Sequence, residues 1–569
     1  MDVLRSATFT AASAPPLPEL NIGQLLDAQY DLYPNRVAAI SRWQRKRVTY
    51  RDLHTECQNI ALSLLVQGVH PRDHVVVLAG NSIEYMQLFF AVGAIGAVFS
   101  IINPTFTADE VIAAVDFLDP AAIFVAGRIG YRKNDDLLAS LAQTRTRDSL
   151  VVRLSTSERP HVDGLKTWDE FLNVPSDHDH RSLLTQFWAA SHPDDTLCVQ
   201  FTSGTTGLRK AAMLSHQNLL GNAWVVGHRL GYTQDEVVCC CVPLSHCFGL
   251  VCGILGSVMH GCTVVIPFDI FLSGASLEAL SQERCTVIFA VATMFQAMLD
   301  HPDAKKYSHE ICLRTGIVAG STLSLTLLQR LKNEFALTGL AYAYGMTEAS
   351  GVVFMTDPSQ DSLLDDHVSV GTLLPHSFAK VVDDDLKTLN SGVAGELLLA
   401  GYLNFKGYYK TQSKTNEALF TDLDGRQWLR TGDLVTINAA GRCIVTGRVK
   451  DMIKRGGENI FPSDIEKVLE ENPGIETAAC IGIPDDHWGE IVGVFIKRAC
   501  QTETAELGTK EIKFWLRHKV APHKVPEHYF WLGDGAGVPN ELPCNHTGKL
   551  LKGELRTIAS NLLQQKRQC

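Results

Sequence analysis

The segment Thr202 to Lys210 reads TSGTTGLRK and follows the apolar run Leu197–Val199. It gathers hydroxyl side chains (Thr202, Ser203, Thr205, Thr206), two flexible positions (Gly204, Gly207) and a cation (Lys210). Glycines let backbone N–H groups turn toward an anion, hydroxyls add donors, and lysine supplies charge. A polyphosphate needs all three. The spacing is not the Walker pattern, because Arg209 stands where that pattern places glycine before lysine. A generic turn built from the same residue types explains the composition equally well. Alone, the segment leaves both readings open.

A strand must deliver such a loop, and the chain has strands to offer. His74–Leu78, Ala122–Val125, Val237–Val242, Thr263–Ile266 and Thr286–Phe289 read as strands, with amphipathic stretches such as Arg51–Leu65 and Leu323–Phe335 between them. The alternation predicts an α/β architecture. Leu88 to Ile102 is apolar but short for a bilayer and interrupted by Gly93 and Gly96, so it reads as a buried helix leading into a strand. Around Gly441–Gly457, glycines and charges cluster, and a fresh pattern begins at Pro462-Ser463-Asp464, with Ile465, Val468 and Leu469 at helical spacing. Strand-like Ala478–Ile483 and Ile491–Ile496 follow. These features predict a large N-terminal α/β domain, residues 1–447, and a small C-terminal α+β domain, residues 448–569.

Composition narrows the function. A net charge of −11 gives no overall attraction to nucleic acid or to an anionic membrane. The 15 cysteines form no CxxC pair, so they read as small buried hydrophobes in a reducing compartment rather than as zinc ligands or a disulfide frame. Met1 to Pro18 has no apolar core of a secretory signal, and no run is long enough for a transmembrane segment. The end Lys566-Arg567-Gln568-Cys569 is neither an SKL-type tripeptide nor a CaaX box, and a cytoplasmic protein is expected, with a peroxisomal one as the alternative.

Further motifs follow TSGTTGLRK in a set order. They are Pro243-Leu244-Ser245-His246-Cys247-Phe248-Gly249, Tyr344-Gly345-Met346-Thr347-Glu348, Thr431-Gly432-Asp433, Gly447-Arg448-Val449-Lys450-Asp451, Gly456-Gly457-Glu458-Asn459-Ile460 and Thr547-Gly548-Lys549. Together they resemble the acyl-adenylate-forming superfamily of acyl-CoA synthetases, 4-coumarate–CoA ligases, firefly luciferase and peptide-synthetase adenylation domains. The likeness runs from about Ile22 to Arg556. Two departures stand out. Arg209-Lys210-Ala211 replaces the usual Pro-Lys-Gly, and a Gly/Pro-rich stretch, Gly533 to Pro539, resembles acyl-CoA ligases of fungal secondary metabolism.

The resemblance implies an ATP- and Mg²⁺-dependent ligase that makes an acyl-adenylate and passes the acyl group to coenzyme A. Catalytic roles fall to Lys549, Thr347, Glu348 and His246. Glu348 is the implied Mg²⁺ ligand, since that hard cation takes carboxylate and phosphate oxygens. Lys549 is the adenylation lysine, suited to charge that develops as pyrophosphate leaves. The phosphate segment with Gly320, Ser321, Tyr344, Asp433 and Arg448 is implied to hold ATP and AMP, with Tyr344 at adenine and Asp433 accepting from ribose hydroxyls. His246, Phe248, Ala343, Gly345, Met346 and Val352 are implied to line the acyl pocket, where His246 is no general base. Lys450 marks a hinge, and Lys454, Gly456 and Gly457 accompany it at the pantetheine tunnel. Small Ala343, Gly345 and Val352 leave room for a medium-chain fatty, polyketide or aryl acid. Three other readings share the motifs: a stand-alone adenylation enzyme loading a separate carrier protein, a luciferase-like oxidation, and a non-catalytic binding protein.

Overall fold

The computed structural model describes residues 8–568 except 11–13, 145–148, 155–162, 174, 176–177, 203–209, 321–322, 361–362, 365, 367, 457, 486, 500–506, 536 and 545–549. Compactness divides the chain into two units. One holds Phe9–Ala379 and Leu399–Leu429, the other Met1–Thr8, Lys380–Leu398 and Arg430–Cys569. The divisions fall inside the strands Ser377–Val382, Gly395–Gly401 and Gln427–Ile437.

The larger unit carries two extended sheets. In the nine-stranded sheet, Gly339–Met346, Thr315–Ala319, Val287–Ala290, Val237–Cys240, Thr263–Ile266 and Val37–Ser41 run parallel in that spatial order. In the eight-stranded sheet, Leu165–Thr167, Leu150–Leu154, Ala122–Ala126, His74–Leu78, Val98–Ile101 and Thr196–Thr202 are parallel, and Lys210–Ser215 and Gly407–Tyr408 close the edge antiparallel. Strands such as HVVVL and VIFA are continuous apolar runs because parallel sheets are covered on both faces. The helices between them start on side-chain caps. Tyr50–Val66 opens with a Thr49/Asp52 capping box and His216–Arg229 with a Ser215/Asn218 box. The apolar run at Leu88 resolves as a buried helix, Ile83–Ala94, then the strand Val98–Ile101. Two strands shift slightly from expectation: Val237–Cys240 stops early, and Val287–Ala290 starts one residue late.

The smaller unit contains a five-stranded sheet in which Gly489–Arg498 pairs antiparallel with Ile475–Asp485 and parallel with His528–Trp531. The helix Pro462–Glu470 starts at the predicted proline and buries Ile465 and Leu469 against the strands. A second apolar cluster sets Leu555 and Ala559 of the helix Lys552–Gln568 beside Phe495 and Phe530. Mixed α/β in the larger unit and α+β in the smaller match the fold class expected from the alternation.

Candidate active site

Three of the motifs, and the candidate Gly320, lie where strands end at their carboxyl side. Thr202 ends Thr196–Thr202, Pro243–Gly249 follows Val237–Cys240, Gly320 follows Thr315–Ala319, and Tyr344–Glu348 closes Gly339–Met346. That edge is where open α/β sheets hold ligands, because the strands stop and the connecting loops can converge. A cavity of about 600 Å³ lies at the opposite edge, against Thr315 and Gly339 at the amino ends of their strands, with Trp224 and Arg229 beside it. It is therefore not the site the motifs build.

The motif residues of the larger unit close into a ring of contacts. Thr202 and Lys210 face each other in antiparallel strand register. Gln200, buried two residues before Thr202, donates from Nε2 to the Ser245 carbonyl at 2.7 Å. Cys247 Sγ lies 3.7 Å from His246 Nδ1 and 3.8 Å from Thr347 Oγ1. The Tyr408 hydroxyl donates to Glu348 Oε1 at 2.9 Å, and Lys210 Nζ sits 4.7 Å from the centre of the Tyr408 ring. The ring thus runs from the phosphate strand through the histidine motif and Thr347-Glu348 back to Lys210.

Electrostatics fix the protonation states around it. The Phe248 N–H donates to His246 Nδ1 at 3.1 Å, so that nitrogen keeps its lone pair and Nε2 carries the proton. Enclosure by protein pushes the imidazole down to about 4, although its outer edge keeps some solvent surface. His246 is therefore a neutral donor near pH 7. Burial lifts the Cys247 thiol to about 11, against a lowering by the Thr347 hydroxyl, so it stays protonated. Burial first and Glu348 second hold the Tyr408 phenol well above its ordinary range, so it remains a donor.

The strand Gly339–Met346 presents the other expected residues. Tyr344 is half-buried with its ring 6.4 Å from Phe354. A Cβ at Gly345 would collide with the Gly351 carbonyl, which explains glycine at this bulged position. Ala343 pairs between Ala319 and Met355 and is buried. The Asn222 side chain clamps Val352 by both backbone groups, at 3.0 and 2.6 Å. Met346 is half-buried, and Phe248 lies 6.0 Å from Phe289.

In the smaller unit, Asp433 and Arg448 are paired across two strands, and Arg448 Nε lies 3.1 Å from the buried Asp433 carboxylate. Lys450 occupies a short turn, Val449–Asp451. Arg556, from the last helix, donates to the Lys450 carbonyl at 3.1 Å and lies 3.3 Å from Asp451. Lys454 and Gly456 meet the other end of this region: the Lys454 N–H donates to Glu490 at 2.8 Å, and the Gly456 N–H to the Trp488 carbonyl at 2.8 Å. Gly456 has φ +57, and a Cβ there would sit 2.7 Å from the Trp488 ring. Lys549, Ser321, Gly457 and the loop Ser203, Gly204, Thr205, Thr206 and Gly207 lie outside the described residues.

Sequence reasoning did not assign Tyr408, Gln200 or Arg556 to the site. Gln200 carried a signal, a polar side chain between Val199 and Phe201 in an apolar strand. Tyr408 and Arg556 carried none, because their roles depend on chain segments distant in sequence.

Fold and site together define a nucleotide-using α/β enzyme of two units, with its phosphate segment and acidic turn at the carboxyl edge of parallel sheets. The profile described as AMP-binding enzyme matches residues 26–409, and that described as AMP-binding enzyme C-terminal domain matches residues 464–549. The chain belongs to the AMP-binding enzyme family. It is 38% identical over 553 residues to acyl-CoA ligase sidI of Beauveria bassiana, covering 97% of this chain and 94% of that one. It is 31% identical over 559 residues to medium-chain acyl-CoA ligase ACSF2, mitochondrial, of Danio rerio, covering 96% and 89%. Among solved structures, ATP-bound MatB from Rhodopseudomonas palustris shares the fold with a TM-score of 0.78 at 23% identity, covering 95% of this chain and 100% of that one. The anthranilate CoA ligase AuaEII does so with a TM-score of 0.79 at 22%, covering 97% and 100%.

Proposed function

We propose that this enzyme is an AMP-forming acid–thiol ligase. A substrate carboxylate oxygen bonds to the α-phosphorus of ATP while the bond to pyrophosphate breaks, giving acyl-AMP. The thiol sulfur of coenzyme A then bonds to the acyl carbon, its proton goes to solvent, and AMP leaves. The observation that carries this reading is the contact ring joining Lys210, Tyr408, Glu348, Thr347, Cys247 and Ser245 across the two sheets of the larger unit. It sets a cation, a carboxylate and a hydroxyl around one place, as phosphate chemistry requires.

The residues divide the work. Lys210 and the 203–207 loop hold the phosphates, with Gly320 and Ser321 beside the nucleotide and Tyr344 at adenine. Asp433, already ion-paired with Arg448, accepts from the ribose hydroxyls. Glu348 suits Mg²⁺: Tyr408 occupies Oε1, and among the described residues Oε2 has no second hydrogen-bond partner. When bound, Mg²⁺ offsets charge on the phosphates. Lys549 stabilises the departing pyrophosphate, and His246 offers a neutral N–H to the acyl pocket.

The joint between a 1–447 domain and a mobile 448–569 domain lies at Lys450 in this reading. Rotation there withdraws Lys549 and brings Lys454, Gly456 and Gly457 to the pantetheine tunnel. The acid is a medium-chain fatty, polyketide or aryl acid. Uncharged Phe248, Phe289, Ala343 and Val352 support that class, as does the name of the medium-chain relative. No described helix is long and apolar enough to cross a membrane.

The test is product analysis across a panel of acids, with and without coenzyme A. AMP and pyrophosphate are expected, with thioester only when the thiol is present. ADP and orthophosphate as products would overturn the reading. Transfer to a carrier protein but not to coenzyme A would redirect the second step.

A further inference from the structure

The turn that bears Glu348 rests on the loop that bears Tyr408. The Phe405 N–H donates to the Glu348 carbonyl at 3.0 Å, and the Ser350 hydroxyl donates to the Leu403 carbonyl at 2.6 Å. Tyr408 adds the one side-chain bond in this set that reaches the carboxylate itself, from a ring that is 5% exposed. The same ring meets Lys210 for a geometric reason. Tyr408 pairs with Ala212 across antiparallel strands, and Lys210 stands two residues before Ala212 on the same face, so the lysine lies diagonally over the ring.

We propose that Tyr408 is the positioning residue for the phosphate site: its hydroxyl fixes the Glu348 carboxylate with one oxygen turned outward, while its ring carries the ammonium of Lys210. This rests on the adenylation reading above and adds to it a residue that touches no substrate. A hydroxyl bonded to one carboxylate oxygen removes rotational freedom from the other, which would then present one fixed direction to a cation held there. Partners of this kind, one step behind a metal ligand, typically change metal affinity or activity ~10–100-fold when removed. The two roles are separable, since Tyr408→Phe deletes the hydroxyl and keeps the ring, whereas Tyr408→Leu deletes both.

The decisive measurement is Mn²⁺ affinity in the presence of α,β-methylene-ATP, whose α–β linkage cannot be cleaved, read from the free-ion signal by electron paramagnetic resonance. Tyr408→Phe should weaken Mn²⁺ about tenfold or more. It should also shift the Mg²⁺ activation curve for pyrophosphate release by a similar factor, with the KM for the acid and thioester formation from pre-made acyl-AMP unchanged. Tyr408→Leu should additionally raise the KM for ATP, because Lys210 loses its support. On a Glu348→Gln background the Phe substitution should cost nothing further, since the hydroxyl acts through that carboxylate. Unchanged Mn²⁺ affinity in Tyr408→Phe, or an equal loss on the Glu348→Gln background, overturns the proposal. Should Tyr408→Phe fail to fold, wild-type Mn²⁺ affinity in Glu348→Gln, the other partner of the same contact, overturns it equally. Failure of the wild type to release pyrophosphate with any acid sinks the ligase reading instead, while the Mn²⁺ comparison still decides the role of Tyr408.

Discussion

The candidate site residues of the larger unit and the Lys450 turn of the smaller one are held by different kinds of contact. Gln200, Cys247 and Tyr408 are buried, and each hydrogen-bonds or touches a neighbour from a distant segment. Breaking any of them leaves a buried polar group unsatisfied, which typically costs ~1–3 kcal/mol. The turn at Lys450 is secured by Arg556, whose side chain is 30% exposed, through one carbonyl and one ion pair at 3.3 Å. Pairs this open to water contribute ~0–1 kcal/mol. The first arrangement suits groups that must keep their geometry through both half-reactions. The second suits a turn whose dihedral angles change between half-reactions in the proposed scheme.

Lys549→Ala tests that division most severely. Its loss should slow acyl-AMP formation ~100–1000-fold, the usual effect of removing a contact made where charge develops. Given pre-made acyl-AMP and coenzyme A, the variant should form thioester at a near-normal rate, because in the proposed scheme Lys549 takes no part in that step. Equal damage to both half-reactions would sink the two-position scheme. Lys552 is a less innocent neighbour than its place in the sequence suggests. Its ammonium lies 2.6 Å from Glu466, and that carboxylate also accepts from the Cys480 N–H at 2.7 Å. Lys552→Ala should therefore lower the melting temperature while sparing both rates, and it serves as the stability control.

The hinge comes next in size. Lys450→Pro fixes φ at the turn and should slow thioester formation about tenfold more than adenylation, because the dihedral change falls between the two steps. Arg556→Ala should act in the opposite sense and more weakly. Removing a half-exposed latch worth up to ~1 kcal/mol shifts the partition between half-reactions by about five-fold at most. Single-turnover rates for each step check both. A large loss of stability in Arg556→Ala would show that the contact belongs to the unit's structure rather than to its movement.

Much of this was legible in the sequence, and particular residues show why. Strands such as His74–Leu78 and the helix opening at Pro462 follow from local pattern and caps, which neighbours in the chain determine. Thr347, Glu348, Asp433 and Arg448 could be singled out because they stand in contiguous motifs, and the structure sets Asp433 against Arg448. Tyr408 escaped because nothing near Gly407-Tyr408 announces a partner 60 residues earlier. The same holds for Arg556, whose target turn lies over a hundred residues away. Long-range register decides such contacts, and a single sequence does not print it. His246 shows a finer limit: its motif indicated a pocket residue, but its neutral state came from the Phe248 N–H and the enclosure around it.

The smallest expected effect is also the one that reads the two units separately. Burial holds His74, His216, His246 and His260 at about 4, and all four lie in the larger unit. Unfolded, each returns to ~6.5, so between roughly pH 6.5 and pH 4 the unfolded chain binds the additional protons. Stability of the larger unit is therefore fully held above pH 6.5 and lost as the pH falls toward 4. Each imidazole contributes at most about 1.4 kcal/mol per pH unit to the slope. His216 isolates one proton of that dependence. It is 1% exposed, and its Nδ1 accepts from the Ile22 N–H at 3.1 Å, a bond that needs the neutral ring. His216→Gln, with an amide oxygen in place of the ring nitrogen, should flatten the pH dependence of the urea midpoint of the larger unit by about one proton and leave that of the smaller unit unchanged. Fluorescence of tryptophans in each unit, Trp224 in the larger and Trp531 in the smaller, follows the two transitions. An unaltered slope for the larger unit would mean that His216 is already charged in the fold, and the neutral-imidazole account would fail at its most buried member.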